Sequence, residues 1–321
     1  MQSFQRRRVL AFGAAAAVLG ASTDAFAQRK VHLGVSIPSA DHGFTGGVVW
    51  WASEARKELE KQFSDLKVTV RTARDAADQA SQLQELVDAG INALVVFPWE
   101  SAALTRPVQQ VHDKGIYVTV VDRGLLDASG QDAYVAGDNT AFGRVAGEFM
   151  ARAMNGRGEL VALRGIDTPL DNERMNAFAA VMKEHPGIHL ADTRYANWNR
   201  DDAFKAMQDL LARHARIDAV WAADDDMAAG VLKAIDQAHR ADIKLVFGGA
   251  GSKGMVRAIK DGSDPRLQAD VAYSPRFIYE AIRLTAEARL AGHRLPPRTI
   301  LPSTLITRDN ARDFYFPDSP Y

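Results

Sequence analysis

Short runs of β-branched and aliphatic residues alternate with amphipathic stretches along most of the chain, and this alternation limits the possible folds more than any other feature. Val31-His32-Leu33-Gly34-Val35-Ser36-Ile37 reads as a buried strand. Val48, Trp51, Ala52, Ala55 and Leu59 follow at helical spacing and form one apolar stripe. Val68–Val70, Leu94–Phe97 and Val118–Val121 read as further strands, with helices predicted over 77–89 and 101–113. Strands separated by helices pair in parallel, because a parallel pair needs a long crossover and the helix supplies it. The expected class is therefore α/β, with helices on both faces of a parallel sheet.

The pattern then recurs. Ile91-Asn92-Ala93-Leu94-Val95-Val96 resembles Ile217-Asp218-Ala219-Val220-Trp221-Ala222, and Leu83-Gln84-Glu85-Leu86 resembles Met207-Gln208-Asp209-Leu210. The two offsets, 126 and 124 residues, nearly agree and point to two related lobes. At 321 residues the chain also exceeds what one small core organises. Gly137-Asp138-Asn139 and the polar stretch around Tyr273-Ser274-Pro275 are the expected crossings between lobes. The stretch carrying Pro296-Pro297, Pro302 and Pro317 is too broken for helix and reads as extended segments and loops.

Residues 1–27 read as an export signal. Arg6-Arg7-Arg8 supplies the basic start, and the apolar run from Val9 to Gly20 is too short to span a bilayer core of about 30 Å. Ala25-Phe26-Ala27 is a small-x-small cleavage pattern, so the mature chain is expected to begin at Gln28. The arginines fit a twin-arginine signal as well as an ordinary Sec signal. The chain has no Cys, which excludes disulfides, thiolate metal sites, a cysteine nucleophile and a lipid-modified cysteine. A net charge of -1 excludes a strongly basic nucleic-acid binder. No later stretch approaches 18 uninterrupted apolar residues. The expectation is release into a bacterial periplasm, with no membrane insertion once the signal is cleaved.

In open parallel α/β sheets ligands bind beyond the carboxyl ends of the strands. The residues at those places are Ser36 and His42-Gly43-Phe44, Phe97-Pro98-Trp99, Asp122-Arg123, Glu173-Arg174, Asn197-Trp198-Asn199, Asp224-Asp225-Asp226 and Gly248-Gly249-Ala250-Gly251. Aromatics with Asp, Asn and Arg are the chemistry of sugar and polyol recognition. A planar carboxylate or guanidinium bonds two neighbouring hydroxyls at once, and aromatic faces cover the C–H face of a ring. Asp225 and Asp226 read as acids opening a helix, whereas Asp224, nearest the strand end, reads as a ligand contact. Trp198 lies in a polar loop where stacking on a ligand explains it better than core packing does, while Trp50-Trp51 reads as packing.

Gly249-Ala250-Gly251-Ser252-Lys253-Gly254 matches the dinucleotide pattern GxGxxG, between a strand and the helix Met255–Lys260, with Asp270 beyond it. Its plainer reading is a tight glycine turn giving a ligand access to backbone. No GxSxG, no HExxH and no clustered His suggest a catalytic set or a metal site. The expectation is a non-enzymatic chain without cofactor or metal. Two alternatives stay open: an exported NAD(P)-dependent sugar oxidoreductase using the 249–254 loop, and a receptor that senses a sugar or a quorum signal.

Val118-Thr119-Val120-Val121-Asp122-Arg123, Gly137-Asp138-Asn139 with Gly143, Glu173-Arg174 with Phe178, and Asp225-Asp226-Met227-Ala228 with Gly230 together give the chain a family resemblance. It resembles the type I periplasmic sugar-binding proteins, the ribose-binding-protein-like receptors of ABC importers. The resemblance implies two Rossmann-like lobes joined by three hinge crossovers, with a monosaccharide or polyol held in the cleft and delivered to a membrane permease by a monomeric receptor. It implies an N-terminal lobe of 28–137 plus 274–301 and a C-terminal lobe of 138–273 plus 302–321. It places ligand contacts at Ser36, His42, Phe44, Phe97, Asp122, Arg123, Arg174, Trp198, Asp224 and Tyr273. His42, Phe97, Asp224, Ala250 and Tyr273 depart from the residues common in the family, so ribose itself is not implied. Lactose-repressor-type transcription factors share the core, but here an export signal stands where their DNA-binding helices would be.

Overall fold

The computed structural model describes residues 29–40 and 43–321. The expected export signal over 1–27 and His42, an expected ligand contact, lie outside the described residues. The first part of the chain runs β1 (Val31–Pro38), α1 (Gly43–Gln62), β2 (Leu66–Ala73), α2 (Ala76–Asp88), β3 (Ala93–Val96), α3 (Ser101–His112), β4 (Tyr117–Val121) and β5 (Ala133–Gly137). The second part runs α4 (Asn139–Ala153), β6 (Gly158–Arg164), α5 (Pro169–Glu184), β7 (Ile188–Tyr195), α6 (Arg200–Arg213), β8 (Ala219–Ala222), α7 (Asp225–Gln237), β9 (Leu245–Phe247), α8 (Lys253–Asp261) and β10 (Ala269–Val271). It is followed by α9 (Phe277–Leu290), β11 (Arg298–Leu301) and β12 (Leu305–Thr307).

Two sheets result. One has six strands in the order β11-β5-β4-β3-β1-β2, all pairs parallel. The other has the parallel order β7-β6-β8-β9, with the antiparallel pair β10-β12 beside it through a bridge from Ala250 to Ala272. The sequence repeat maps onto this symmetry. Its first copy is α2 leading into β3, and its second is α6 leading into β8. β3 pairs with β1 as β8 pairs with β6.

The apolar runs are continuous because both faces of each sheet are covered. In β3 and β4 the side chains of Leu94, Val96, Val118 and Val120 face α2 and α3, where Leu83, Leu86, Leu104 and Val108 meet them. Ala93, Val95 and Val121 face the opposite way, and there Thr119 shares a 2.9 Å hydrogen bond with Thr285 of α9. α9 follows the second sheet in sequence yet packs on β1, β3, β4 and β5 of the first. The chain therefore crosses between the lobes after β5, after β10 and between β11 and β12. All three crossings lie together between the lobes, where Gly137, Tyr273 and Pro302 line one hollow.

Candidate functional site

Asp122 follows β4 directly and adopts a left-handed backbone, with φ of 59°. Few residues other than glycine adopt it, and Asp is among those that tolerate it best. Its carboxylate is buried. Tyr273, on the crossing between β10 and α9, donates its hydroxyl to Asp122 Oδ1, and Tyr134 donates to the Asp122 carbonyl at 2.5 Å. Burial raises the Asp122 pKa above the ordinary carboxylate value, and the Tyr273 hydrogen bond, Arg123 and Arg174 pull it partly back. Burial and the Asp122 charge push the Tyr273 phenol well up. Tyr273 passes so close to Gly137 that a Cβ there would lie 2.1 Å from its ring, so the first crossing needs glycine at this point.

Arg174 reaches the same place from α5 of the other lobe. Its guanidinium lies 4.1 Å from the centre of the Phe142 ring and 4.4 Å from that of Tyr273. Nε donates to Asn139 Oδ1 at 2.9 Å, and Nη1 to the Ala223 carbonyl at 3.4 Å. Two aromatic faces and two acceptors fix the plane of a buried cation. Arg123 donates to the Trp99 carbonyl and lies 5.2 Å over Phe97. Phe97 packs on Phe277 at 5.7 Å, and Phe44 on Phe277 at 5.9 Å and Tyr273 at 6.4 Å. An aromatic seam thus runs through the gap under a mixed set of buried charges.

Asp224 caps α7, accepting from the Met227 amide at 2.9 Å. Burial pushes its carboxyl well above the usual range; Asp226 and Asp225 push it further, while the amide and Arg174 oppose them. The cap is therefore Asp224 itself, and the two acids after it have other partners. Asp226 pairs with Arg200 at 2.9 Å. Asp225 accepts from the amides of Gly249 at 2.8 Å and Ser252 at 2.6 Å.

Those last contacts decide what the glycine loop does. A dinucleotide loop leaves its amides free for pyrophosphate. Here the amides of Gly249 and Ser252 are taken by Asp225, and that of Gly251 by Asp270 at 3.1 Å. Two carboxylates stand where phosphate oxygens would, so the match to GxGxxG is a structural turn.

Ser36 is fully buried, and its hydroxyl accepts from Gln79 at 3.2 Å. Gln79 also donates to the Phe97 carbonyl at 2.9 Å and accepts from Trp99 N at 2.7 Å. Ser36 thus stands behind the loop that carries Phe97. Trp198 has φ of 51°, and its ring covers Gly165 so closely that a Cβ there would lie 1.9 Å from it. Its Nε1 is buried with no hydrogen-bond partner among the described residues. Trp51 is buried against Phe316 and Tyr279, which accords with a packing role.

Sequence reading missed Asn139, Phe142, Phe277 and Gln79. Gln79 left a signal, a polar residue on the inner stripe with Leu83 and Leu86. The others are ordinary helix residues whose place in the gap depends on the crossings. Among the described residues no group of three or more His, Cys, Asp or Glu is placed to hold a metal, and no helix is long and apolar enough to cross a membrane.

Comparison with known proteins gives the family and the fold. Residues 33–289 match the periplasmic binding protein domain. The ribose import binding protein of Bacillus subtilis (strain 168) is 27% identical over 283 residues, 88% of each chain. The D-allose-binding periplasmic protein of Escherichia coli (strain K12) is 28% identical, covering 76% of this chain and 82% of its own. Among solved structures, an ABC transporter solute-binding protein from Bacillus halodurans C-125 with bound myo-inositol superposes with a TM-score of 0.78. It covers 92% of this chain and 99% of its own at 21% identity, a likeness of fold.

Proposed function

Because the chain belongs to the periplasmic binding protein domain family, we propose that it is a periplasmic receptor that captures a monosaccharide or polyol between its lobes and delivers it to an ABC-importer permease. The observation that carries this reading is the buried cluster of Asp122, Tyr273 and Arg174, drawn from both lobes and from a crossing between them. A carboxylate that can accept from neighbouring hydroxyls and a cation that can donate to them lie on an aromatic floor. That combination rewards a hydroxyl-rich ring and rejects an apolar one, whose binding would leave the buried polar groups unpaired.

The ligand contacts in this reading are Ser36, His42, Phe44, Phe97, Asp122, Arg123, Arg174, Trp198, Asp224 and Tyr273. Ligand touching both lobes favours the closed arrangement over an open one, and that differential contact drives closure. The lobes divide as 28–137 plus 274–301 and 138–273 plus 302–321. The receptor is exported, cleaved after Ala27, monomeric and free of cofactor, and it leaves its ligand chemically unchanged.

The test is a thermal-shift screen of the purified mature protein against D-ribose, L-arabinose, D-allose, xylitol and myo-inositol. A ligand bound by the folded state alone, at about 100 times its Kd, adds about 2.7 kcal/mol of stability. At least one of the panel should raise the melting temperature and be recovered intact. No shift with any of them, or conversion of the ligand to product, would overturn the proposal.

A further inference from the structure

The segment Pro317–Tyr321 enters the gap between the lobes. Lys253, at the start of α8, donates to the carbonyls of Ser319 at 2.5 Å and Pro317 at 3.3 Å. Ser319 is fully buried; its hydroxyl donates to the Tyr321 carbonyl at 2.8 Å and accepts from the Tyr321 amide at 3.2 Å. The segment is thus tied to the C-terminal lobe, while its ring crosses to α1 of the N-terminal lobe. Tyr321 meets Phe44 edge-on at 5.7 Å. A Cβ on Gly43 would lie 2.9 Å from the ring, and one on Gly47 would lie 2.9 Å from the Tyr321 Cβ.

Tyr321 is only 7% exposed, yet its hydroxyl has no hydrogen-bond partner among the described residues. Asp226 Oδ2, 2.6 Å from the same point at Gly43, is buried and equally without a partner. Burial and the charges of Asp224, Asp225 and Asp226 hold the phenol proton well beyond its usual range, so the group is an uncharged donor. A buried donor left without an acceptor is costly, and a guest that reaches it recovers that cost. A guest hydroxyl is a suitable acceptor for it, since a hydroxyl accepts as well as donates.

We propose that Tyr321 is a ligand-contacting residue where the two lobes meet, its phenol donating to a guest hydroxyl. This rests on the receptor reading and adds a selection rule. The guest must carry a hydroxyl at the position that reaches this phenol, and the analogue lacking that hydroxyl is refused.

Titration calorimetry of the mature protein and of Tyr321→Phe tests it. The probes are the same five sugars and polyols, then the monodeoxy analogues of the one bound most tightly. Tyr321→Phe keeps the ring against Phe44 and removes only the donor; its unliganded melting curve checks the fold. The expected result is about a tenfold loss of affinity for the parent compound, and no loss for one particular deoxy analogue. Parent binding equal to wild type, or the same loss for every deoxy analogue, overturns the inference while the receptor reading stands. Wild-type protein that binds none of the five overturns both.

Discussion

Tyr273 and Asp122 stand 151 residues apart in sequence and are joined by a hydrogen bond from the phenol to the buried carboxylate. One belongs to a crossing and the other to a strand end of the N-terminal lobe, so the bond fixes the hinge to the floor of the cleft. Tyr273→Phe keeps the ring against Arg174 and removes the donor. The variant should lose about 1–3 kcal/mol of stability at neutral pH, the cost of a buried carboxylate deprived of a partner. Urea unfolding checks this, and an unchanged midpoint and slope would show that the bond contributes nothing.

Arg174 is gripped by chemistry that lysine lacks. Its flat guanidinium lies against two rings, and its Nε holds Asn139. Arg174→Lys keeps the charge but loses the plane and the fork of donors. Affinity for the sugar or polyol bound most tightly should fall by about 2–3 kcal/mol, and Arg174→Ala by at least as much. Calorimetry reads both, and wild-type affinity in the lysine variant would reduce Arg174 to a counter-charge.

Much of the fold is legible in the sequence for a physical reason. Strands covered on both faces must be apolar throughout, so Val31–Ile37 and Val118–Val121 announce themselves, and an Asp directly after such a run stands out. What stays hidden depends on long-range geometry. Nothing local separates Phe142 from other residues of α4, and Asn139 reads locally as part of a crossing only, since the lean of Arg174 is what brings both beside its guanidinium. Tyr321 follows Pro320 in an irregular stretch, and the bond that holds this stretch, from Lys253 to Ser319, joins residues 66 apart in sequence. The glycine loop misleads in the opposite sense. Its spacing matches a phosphate cradle, but whether its amides are free depends on Asp225 and Asp270, which spacing does not reveal.

Gly165 gives Trp198 its position. A methyl group there would overlap the indole, so Gly165→Ala should push Trp198 off the end of β6 while leaving both sheets in place. Ligand affinity should fall about tenfold or more, since aromatic contact with a sugar face and one indole N–H donor are lost together. Tryptophan fluorescence should report the displaced ring, and far-ultraviolet circular dichroism should be unchanged. Unaltered affinity with altered fluorescence would remove Trp198 from the ligand contacts.

Asp225 and Asp270 form a buried acidic pair beneath the glycine loop. Burial raises both, and each is influenced by the other; Asp270 is pushed up to about 7. An unfolded Asp releases its proton near 3.9, so between about pH 4 and pH 7 the folded chain holds protons that the unfolded chain has lost. The stabilisation from this pair is complete at the acid end of that window and is lost as pH rises through about 7. Asp270→Asn removes the titration and keeps one acceptor for the amides of Gly251 and Val271. The variant should be less stable than wild type at pH 5, and the gap should narrow or reverse by pH 8, a swing on the order of 2 kcal/mol. Urea unfolding of both proteins at pH 5, 6, 7 and 8 measures it. Because Asp122 and Asp224 are common to both proteins, the difference between the two pH profiles reports the Asp225–Asp270 pair, and a gap constant across the range would mean that the pair holds no extra proton in the folded state.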